Sequence, residues 1–299
     1  MVAATDVDGR LTLRDGRTLA WHQWGVPDGI PVLRLQGTPG SRLSRHPKPE
    51  IWERLGVRVI MADRPGYGAS TRMPGRGLAS VADDVIELLD HLEVDRVPVS
   101  GISGGGPHVL ALGARHPERI SAATVVVGAA PLTDAELPLL VGVNAEGERR
   151  IRDGGWDALY PLLHELREKM LADPLAGFRA ALSDAPAEDQ AVMNDPAWQQ
   201  TLRQSLTESL RAGAEGWCDE ALAMFDWDIA PEQVRVHVVW YHSRHDANVP
   251  LPAAQRVVDR LPSVELRLWE GGHLEAFRRE EELMRDLLAR AGSDERPPA

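Results

Sequence analysis

The chain has 299 residues, enough for one α/β core carrying an insertion, and 43% of them are hydrophobic, enough to fill it. Its net charge of −12 repels nucleic acid, and no Lys/Arg run offsets that field. Cys218 is the only cysteine, so an internal disulfide is excluded. The longest mostly apolar run, 122–132, falls short of the roughly 20 residues that a membrane-spanning helix needs. Residues 1–10 lack the basic start and apolar stretch of a signal peptide, so a cytoplasmic protein that touches neither membrane nor nucleic acid is expected.

In chain order, Arg10 to Arg14 alternates apolar and polar residues, Asp15-Gly16 marks a turn, and Thr18 to Trp24 resumes the alternation, which predicts a hairpin. Ile30 to Leu35 and Val57 to Ala62 are short apolar runs bounded by turn residues and predict buried strands, with a helix near Pro49 to Leu55 between them. Leu78, Val81, Val85, Leu88, Leu89 and Leu92 recur at helical spacing, with Asp83, Asp84, Glu87 and Asp90 on the other side. A strand at Val97 to Ile102, a helix at Gly104 to Arg115 and a strand at Ala122 to Val127 follow. The alternation returns late: strand Val234 to Tyr241, helix Pro252 to Leu261, strand Val264 to Trp269, helix Leu274 to Arg290. Strands alternating with helices predict an α/β fold with a mostly parallel sheet covered on both faces.

Residues 131–228 contain no convincing strand. They are polar and helix-rich, punctuated at Gly154-Gly155, Pro174, Pro186 and Pro196, and predict a helical insertion that caps a core made of 1–130 and 229–299. The polar stretch 292–299, ending in Pro-Pro-Ala, is expected to be a disordered tail.

Gly101-Ile102-Ser103-Gly104-Gly105 fits G-x-S-x-G and sits between a predicted strand and a predicted helix, where a nucleophile elbow belongs. The sharp turn crowds the positions two before and two after the serine, which explains the glycines; the alternative is a glycine-rich turn with an incidental serine. A serine hydroxyl needs a base to take its proton. Asp246, after one late strand, and His273, after the next, come in the order that the fold expects of acid and base. Taken singly, Asp246 also reads as a loop cap and His273 as a helix-start residue; His242, His245 and Asp226 are weaker competitors. Backbone N–H groups of Gly104 and Thr38, the latter in Gln36-Gly37-Thr38-Pro39-Gly40-Ser41, are the candidate oxyanion donors, a plain turn being the other reading of that loop.

With these motifs and Asp63-Arg64-Pro65-Gly66-Tyr67-Gly68-Ala69-Ser70, the chain resembles the α/β-hydrolase superfamily, in its serine-nucleophile, esterase-like and peptidase-like branch, over about 10–130 and 229–290. The resemblance implies an eight-stranded, mostly parallel sheet flanked by helices, with 131–228 as a cap. Two positions depart from it: Gln36 stands where members commonly have His, and Ser243 where they usually have Gly before the acid. Serine at the elbow separates the chain from the aspartate-nucleophile haloalkane dehalogenases and epoxide hydrolases.

Gln36, Trp156, Trp198, Trp217, Phe225 and Trp227 are candidate pocket residues, with packing inside the cap as the competing reading for the aromatics. No metal-ligand spacing and no phosphate loop is present, so neither metal nor cofactor is expected. The leading expectation is a carboxylic-ester hydrolase that cleaves an ester, thioester or lactone of a small, largely apolar molecule through an acyl-enzyme. Amide or carbon–carbon bond hydrolysis is the alternative, and a non-hydrolytic biosynthetic enzyme or ligand-binding protein on the same scaffold is a second class.

Overall fold

The computed structural model describes residues 5–176 and 187–294. The chain opens with a hairpin of β1 (Thr5–Thr12) and β2 (Thr18–Gly25), in which Gly16 takes a φ of 86°. β1 starts at Thr5 rather than Arg10, because pairing with β2 at the sheet edge carries polar Asp6 and Asp8 into the ladder. Alternation then runs through β3 (Ile30–Leu35), α1 (Glu50–Leu55), β4 (Val57–Ala62), α2 (Leu78–His91), β5 (Val97–Ile102), α3 (Gly106–Arg115) and β6 (Ile120–Val126).

A helical segment follows, in which no strand occurs among the described residues: α4 (Gly142–Ala172), α5 (Ala187–Asn194), α6 (Pro196–Ser209) and α7 (Glu215–Phe225). α4 is bent at Gly154 and Gly155, the latter with a φ of 56°. Pro196 opens α6, and Asp195 caps it by accepting from the Ala197 N–H at 2.9 Å. The chain then returns through β7 (Val238–Ser243), α8 (Leu251–Val258), β8 (Val264–Trp269), α9 (Glu275–Arg278) and α10 (Glu280–Asp294).

The eight strands form one sheet ordered β1-β2-β4-β3-β5-β6-β7-β8, antiparallel in the pairs β1–β2 and β2–β4 and parallel in the rest. Helices flank it, and the inner strands are apolar almost throughout, with Val32, Leu33, Val59, Ile60, Val99, Ala123 and Val238 wholly buried. Parallel strands put their C-terminal ends at one edge, so the loops after β3, β5, β7 and β8 gather there.

Four expectations shift. β7 begins at Val238, not Val234, because Val234 and Val236 pack on α3 first; a Cβ on Gly113 would meet them at 3.1 and 2.7 Å. Asp84 lies buried beside the apolar stripe of α2, held by Arg17 through bonds of 2.8 and 2.6 Å. The last predicted helix is two, separated at Arg279. Its second part runs through Gly292 to Asp294, into the expected tail, with the Ser293 hydroxyl donating to the Arg290 carbonyl at 2.7 Å. The remainder of that tail, 295–299, and the predicted break at Pro186 lie outside the described residues. Among the described residues, no helix is long and apolar enough to cross a membrane.

Candidate active site

β5 delivers Ser103 into a turn too tight for side chains on either side. A Cβ on Gly101 would lie 2.4 Å from the Gly105 carbonyl oxygen, and one on Gly105 would lie 2.2 Å from that of Leu35. Ser103 itself takes a φ of 53°, which is strained for a residue with a side chain. The chain then enters α3, whose N-terminal dipole favours negative charge near the elbow.

The loops after β7 and β8 bring Asp246 and His273 to this serine. The Asp246 Oδ1 accepts from the N–H groups of Asn248 (2.9 Å) and Val249 (2.8 Å), which aims Oδ2 at the His273 Nδ1, 2.7 Å away. The opposite ring nitrogen, Nε2, stands 3.0 Å from the Ser103 Oγ. With Nδ1–H donating to the carboxylate, Nε2 carries the lone pair that can accept the serine proton. Burial works against an imidazolium here, but the Asp246 carboxylate, with Asp189 beyond it, outweighs burial and holds the ring above its ordinary value.

None of the competing groups meets the Ser103 hydroxyl; His242 stands behind Asp246, its Nε2 3.9 Å from Oδ2. His242 is buried between Trp240 and the Val249 carbonyl, and burial keeps its ring neutral. His245 pairs with Glu270 at the surface, and Asp226 follows the end of α7.

The loop after β3 meets the elbow. A Cβ on Gly37 would sit 3.4 Å from the Ser103 Cβ, and one on Gly104 would sit 2.1 Å from the Thr38 Oγ1. The Arg64 guanidinium fixes this loop from behind, donating to the carbonyls of Gln36 (2.6 Å) and Gly37 (2.9 Å) and to the Thr38 Oγ1 (3.1 Å). In a trans peptide N–H and C=O point opposite ways, so binding the Gly37 carbonyl turns the Thr38 N–H away from Arg64. Arg64 in turn pairs with Glu220 of α7, which is fully buried and also meets the Thr38 hydroxyl (2.9 Å), the His108 Nε2 (3.1 Å) and Arg76 (3.4 Å). Burial raises the Glu220 carboxyl, but Arg64 and Arg76 prevail and hold it well below the carboxylate range. Burial pushes His108 down to about 4, leaving it neutral.

Both departures noted in the sequence are load-sharing ties between loops. The Gln36 amide donates to the Ala62 carbonyl at 2.9 Å, linking the ends of β3 and β4. The Ser243 hydroxyl donates to the Gly271 carbonyl, stitching the Asp246 loop to the His273 loop.

Above the serine lies a cavity of about 320 Å³ between sheet and helical segment, lined by Ser103, His273, Thr38, Gly104 and Gln36 and by apolar side chains such as Leu159, Leu163, Met170 and Met224. Trp198, Trp217 and Phe225 line it too. Trp156 and Trp227 do not, which corrects the reading that all five aromatics face the pocket. Trp156 stacks on Tyr160, 5.6 Å between ring centroids, with Arg72 over its face, and Trp227 packs on the sheet core.

Asp189, Glu220, Arg64 and Arg76 were not singled out from the sequence as functional. Only Arg64 had a signal there, its place in Asp63-Arg64-Pro65-Gly66; the carboxylates lie in helices whose docking no local pattern reveals.

A sheet of this order with these loops at one edge defines an α/β hydrolase. The family described as alpha/beta hydrolase fold matches residues 30–274, and the chain belongs to it. It is thereby a hydrolase. It is 30% identical to the 2-hydroxy-6-oxo-2,4-heptadienoate hydrolase of Pseudomonas putida, over 87% of this chain and 87% of that protein. It is 26% identical to a bifunctional esterase/perhydrolase of Acinetobacter calcoaceticus, over 81% of this chain and 83% of that one. Among solved structures, a hydrolase from Pseudomonas aeruginosa superposes with a TM-score of 0.70 at 20% identity, over 94% of this chain and 98% of that one.

Proposed function

We propose that the chain is a serine hydrolase that cleaves an ester, thioester or lactone of a small, largely apolar molecule, with residues 131–228 as a cap over the site. The observation that carries this reading is the chain of contacts from Asp246 to His273 to Ser103, 2.7 and 3.0 Å, opening onto the apolar cavity. His273 takes the Ser103 proton as Oγ attacks the carbonyl carbon. The resulting oxyanion is met by the N–H groups of Gly104 and Thr38. Its collapse expels the alcohol, thiol or lactone oxygen, which takes the proton from His273, and leaves the acyl group on Ser103. Water, deprotonated by the same histidine, then releases the acid. Every step uses groups of the chain and water, so the scheme includes no cofactor. A lone, buried cysteine suits a reducing compartment, and we place the enzyme in the cytoplasm, with a small molecule as its partner.

The cavity lining favours an uncharged substrate. Arg34, Arg45 and Glu148, the charged side chains among its described residues, are already paired with Glu280 (2.5 Å), Asp6 (2.7 Å) and Arg152 (2.9 Å). A substrate carboxylate, such as the dienoate in the name of the Pseudomonas putida relative, would have to share an arginine with the carboxylate it already holds. Carbon–carbon or amide bond cleavage is the second reading, supported by the 30% identity to that relative.

The test is release of p-nitrophenol from short and medium acyl esters by wild type and Ser103→Ala. Turnover by wild type alone supports serine-dependent acyl hydrolysis. Equal turnover by both removes the mechanism, and no turnover by folded wild type favours the second reading.

A further inference from the structure

Eight carboxylates are buried among the described residues, and six have an arginine partner: Asp63 with Arg42, Asp84 with Arg17, Glu136 with Arg256, Asp219 with Arg72, Glu220 with Arg64 and Glu280 with Arg34. The other two are Asp246 and Asp189, and both bind the His273 loop. Burying a carboxylate without a cation is costly unless something else compensates the charge. For Asp246 that is the His273 ring. Asp189, 1% exposed on α5, uses both oxygens on consecutive backbone donors, Oδ2 accepting from the His273 N–H at 2.9 Å and Oδ1 from the Leu274 N–H at 2.7 Å. Successive N–H groups converging on one anion form a nest. The fit is close enough to dictate the sequence, since a Cβ on Gly272 would stand 2.4 Å from Cγ and from both oxygens of Asp189.

We propose that Asp189 is a positioning residue of the reaction, holding the His273 loop by its N–H groups and supplying, with Asp246, negative charge that stabilises the imidazolium formed when Ser103 gives up its proton. The inference rests on the reading of His273 as the base. The charged or titratable groups facing that ring are Asp246 from the loop after β7, Asp189 from the cap and His242 from β7, the last neutral through burial. Both carboxylates therefore act in the same direction, and burial of the ring is what they oppose. A tie made only for stability could use any acceptor; a carboxylate adds charge where the mechanism creates a cation. It also makes the cap part of the catalytic apparatus, because the histidine loop is complete only with α5 docked.

The experiment compares wild type, His273→Ala, Asp189→Asn and Asp189→Ala by kcat and KM on a p-nitrophenyl ester and by NMR titration of the His273 imidazole, which needs no substrate. Asp189→Asn keeps the shape and removes the charge. The expected result is a fall in kcat of about 10- to 100-fold, as a loosened catalytic group produces, with KM little changed and the His273 midpoint moved to lower pH in both Asp189 variants. An unchanged midpoint in a folded Asp189→Asn overturns the proposal, whatever happens to thermal stability, and so does a wild-type kcat. Full turnover in His273→Ala would instead remove the base reading, and this inference with it.

Discussion

The central strands bury valine, leucine and isoleucine on both faces, whereas the helical segment meets the core through one small apolar cluster, Val192, Met193 and Trp198 against Leu274 and Phe277, together with the buried carboxylates Asp189, Asp219 and Glu220. Its internal apolar cluster, around Leu159, Leu163, Ala214 and Cys218, is small; burial pushes the Cys218 thiol up to about 12. An apolar seam is held by area and tolerates small slips in register. A buried carboxylate on named N–H and guanidinium groups does not, because a displaced partner leaves a charge unpaired in a poor solvent. The core is thus joined by area, the seam adds alignment to area, and two of the loops it ties carry His273 and Thr38.

This contrast can be broken in several places. The largest effect is expected at the sheet edge: Ser103→Ala should lose about 10⁴-fold or more in kcat with an unaltered fold, measured on the responsive ester with circular dichroism as control. Asp246→Asn should cost about 10³- to 10⁴-fold, since the ring loses its orienting partner. A rate near wild type would assign the role to another acid. At the seam, Glu220→Gln strands Arg64 and Arg76 and should lower unfolding stability by about 3–5 kcal/mol, read as a shifted urea midpoint in tryptophan fluorescence. An unshifted midpoint would make the seam apolar in effect. A smaller effect concerns pH. With His273 as the proposed base the rate needs its neutral ring, whose value is raised, so the acid limb of kcat/KM should lie above the ordinary histidine value of 6.5, and activity should fall away as pH drops through it. The smallest is on the outer face of α4, where the exposed Lys169–Glu165 pair should contribute nothing measurable: Lys169→Ala should leave the melting midpoint where it was.

Strands β3, β4, β5 and β8 were legible to the residue, because short, mostly apolar or alternating stretches rich in valine and leucine, bounded by turn residues, have little else to become. The residues now standing in line at the edge, Ser103, Asp246 and His273, were legible by order and context, since each follows a strand whose end the topology brings to one place. The start of β7 was not, because Val234 and Val236 are as apolar as a strand but spend that character on α3. Trp156 and Trp227 show the same limit: composition gives the aromatic and not the face it turns to. Asp189 and Glu220 were invisible for a stronger reason. They lie 84 residues before and 182 residues after the atoms they bind, in helices that carry other acids beside them, where one more is unremarkable until docking buries it.

The elbow has one further consequence, for heat tolerance. Ser103 holds a φ of 53° that a glycine would adopt freely. A left-handed residue with a side chain costs about 1–2 kcal/mol, partly offset by the extra freedom glycine has in the unfolded chain. Ser103→Gly should therefore melt above Ser103→Ala, two equally inert proteins differing only in whether the turn is relaxed. On the role proposed for Ser103, the enzyme gives up thermal margin at the residue it can least replace, and selection for greater hardiness has to find its gains elsewhere in the chain.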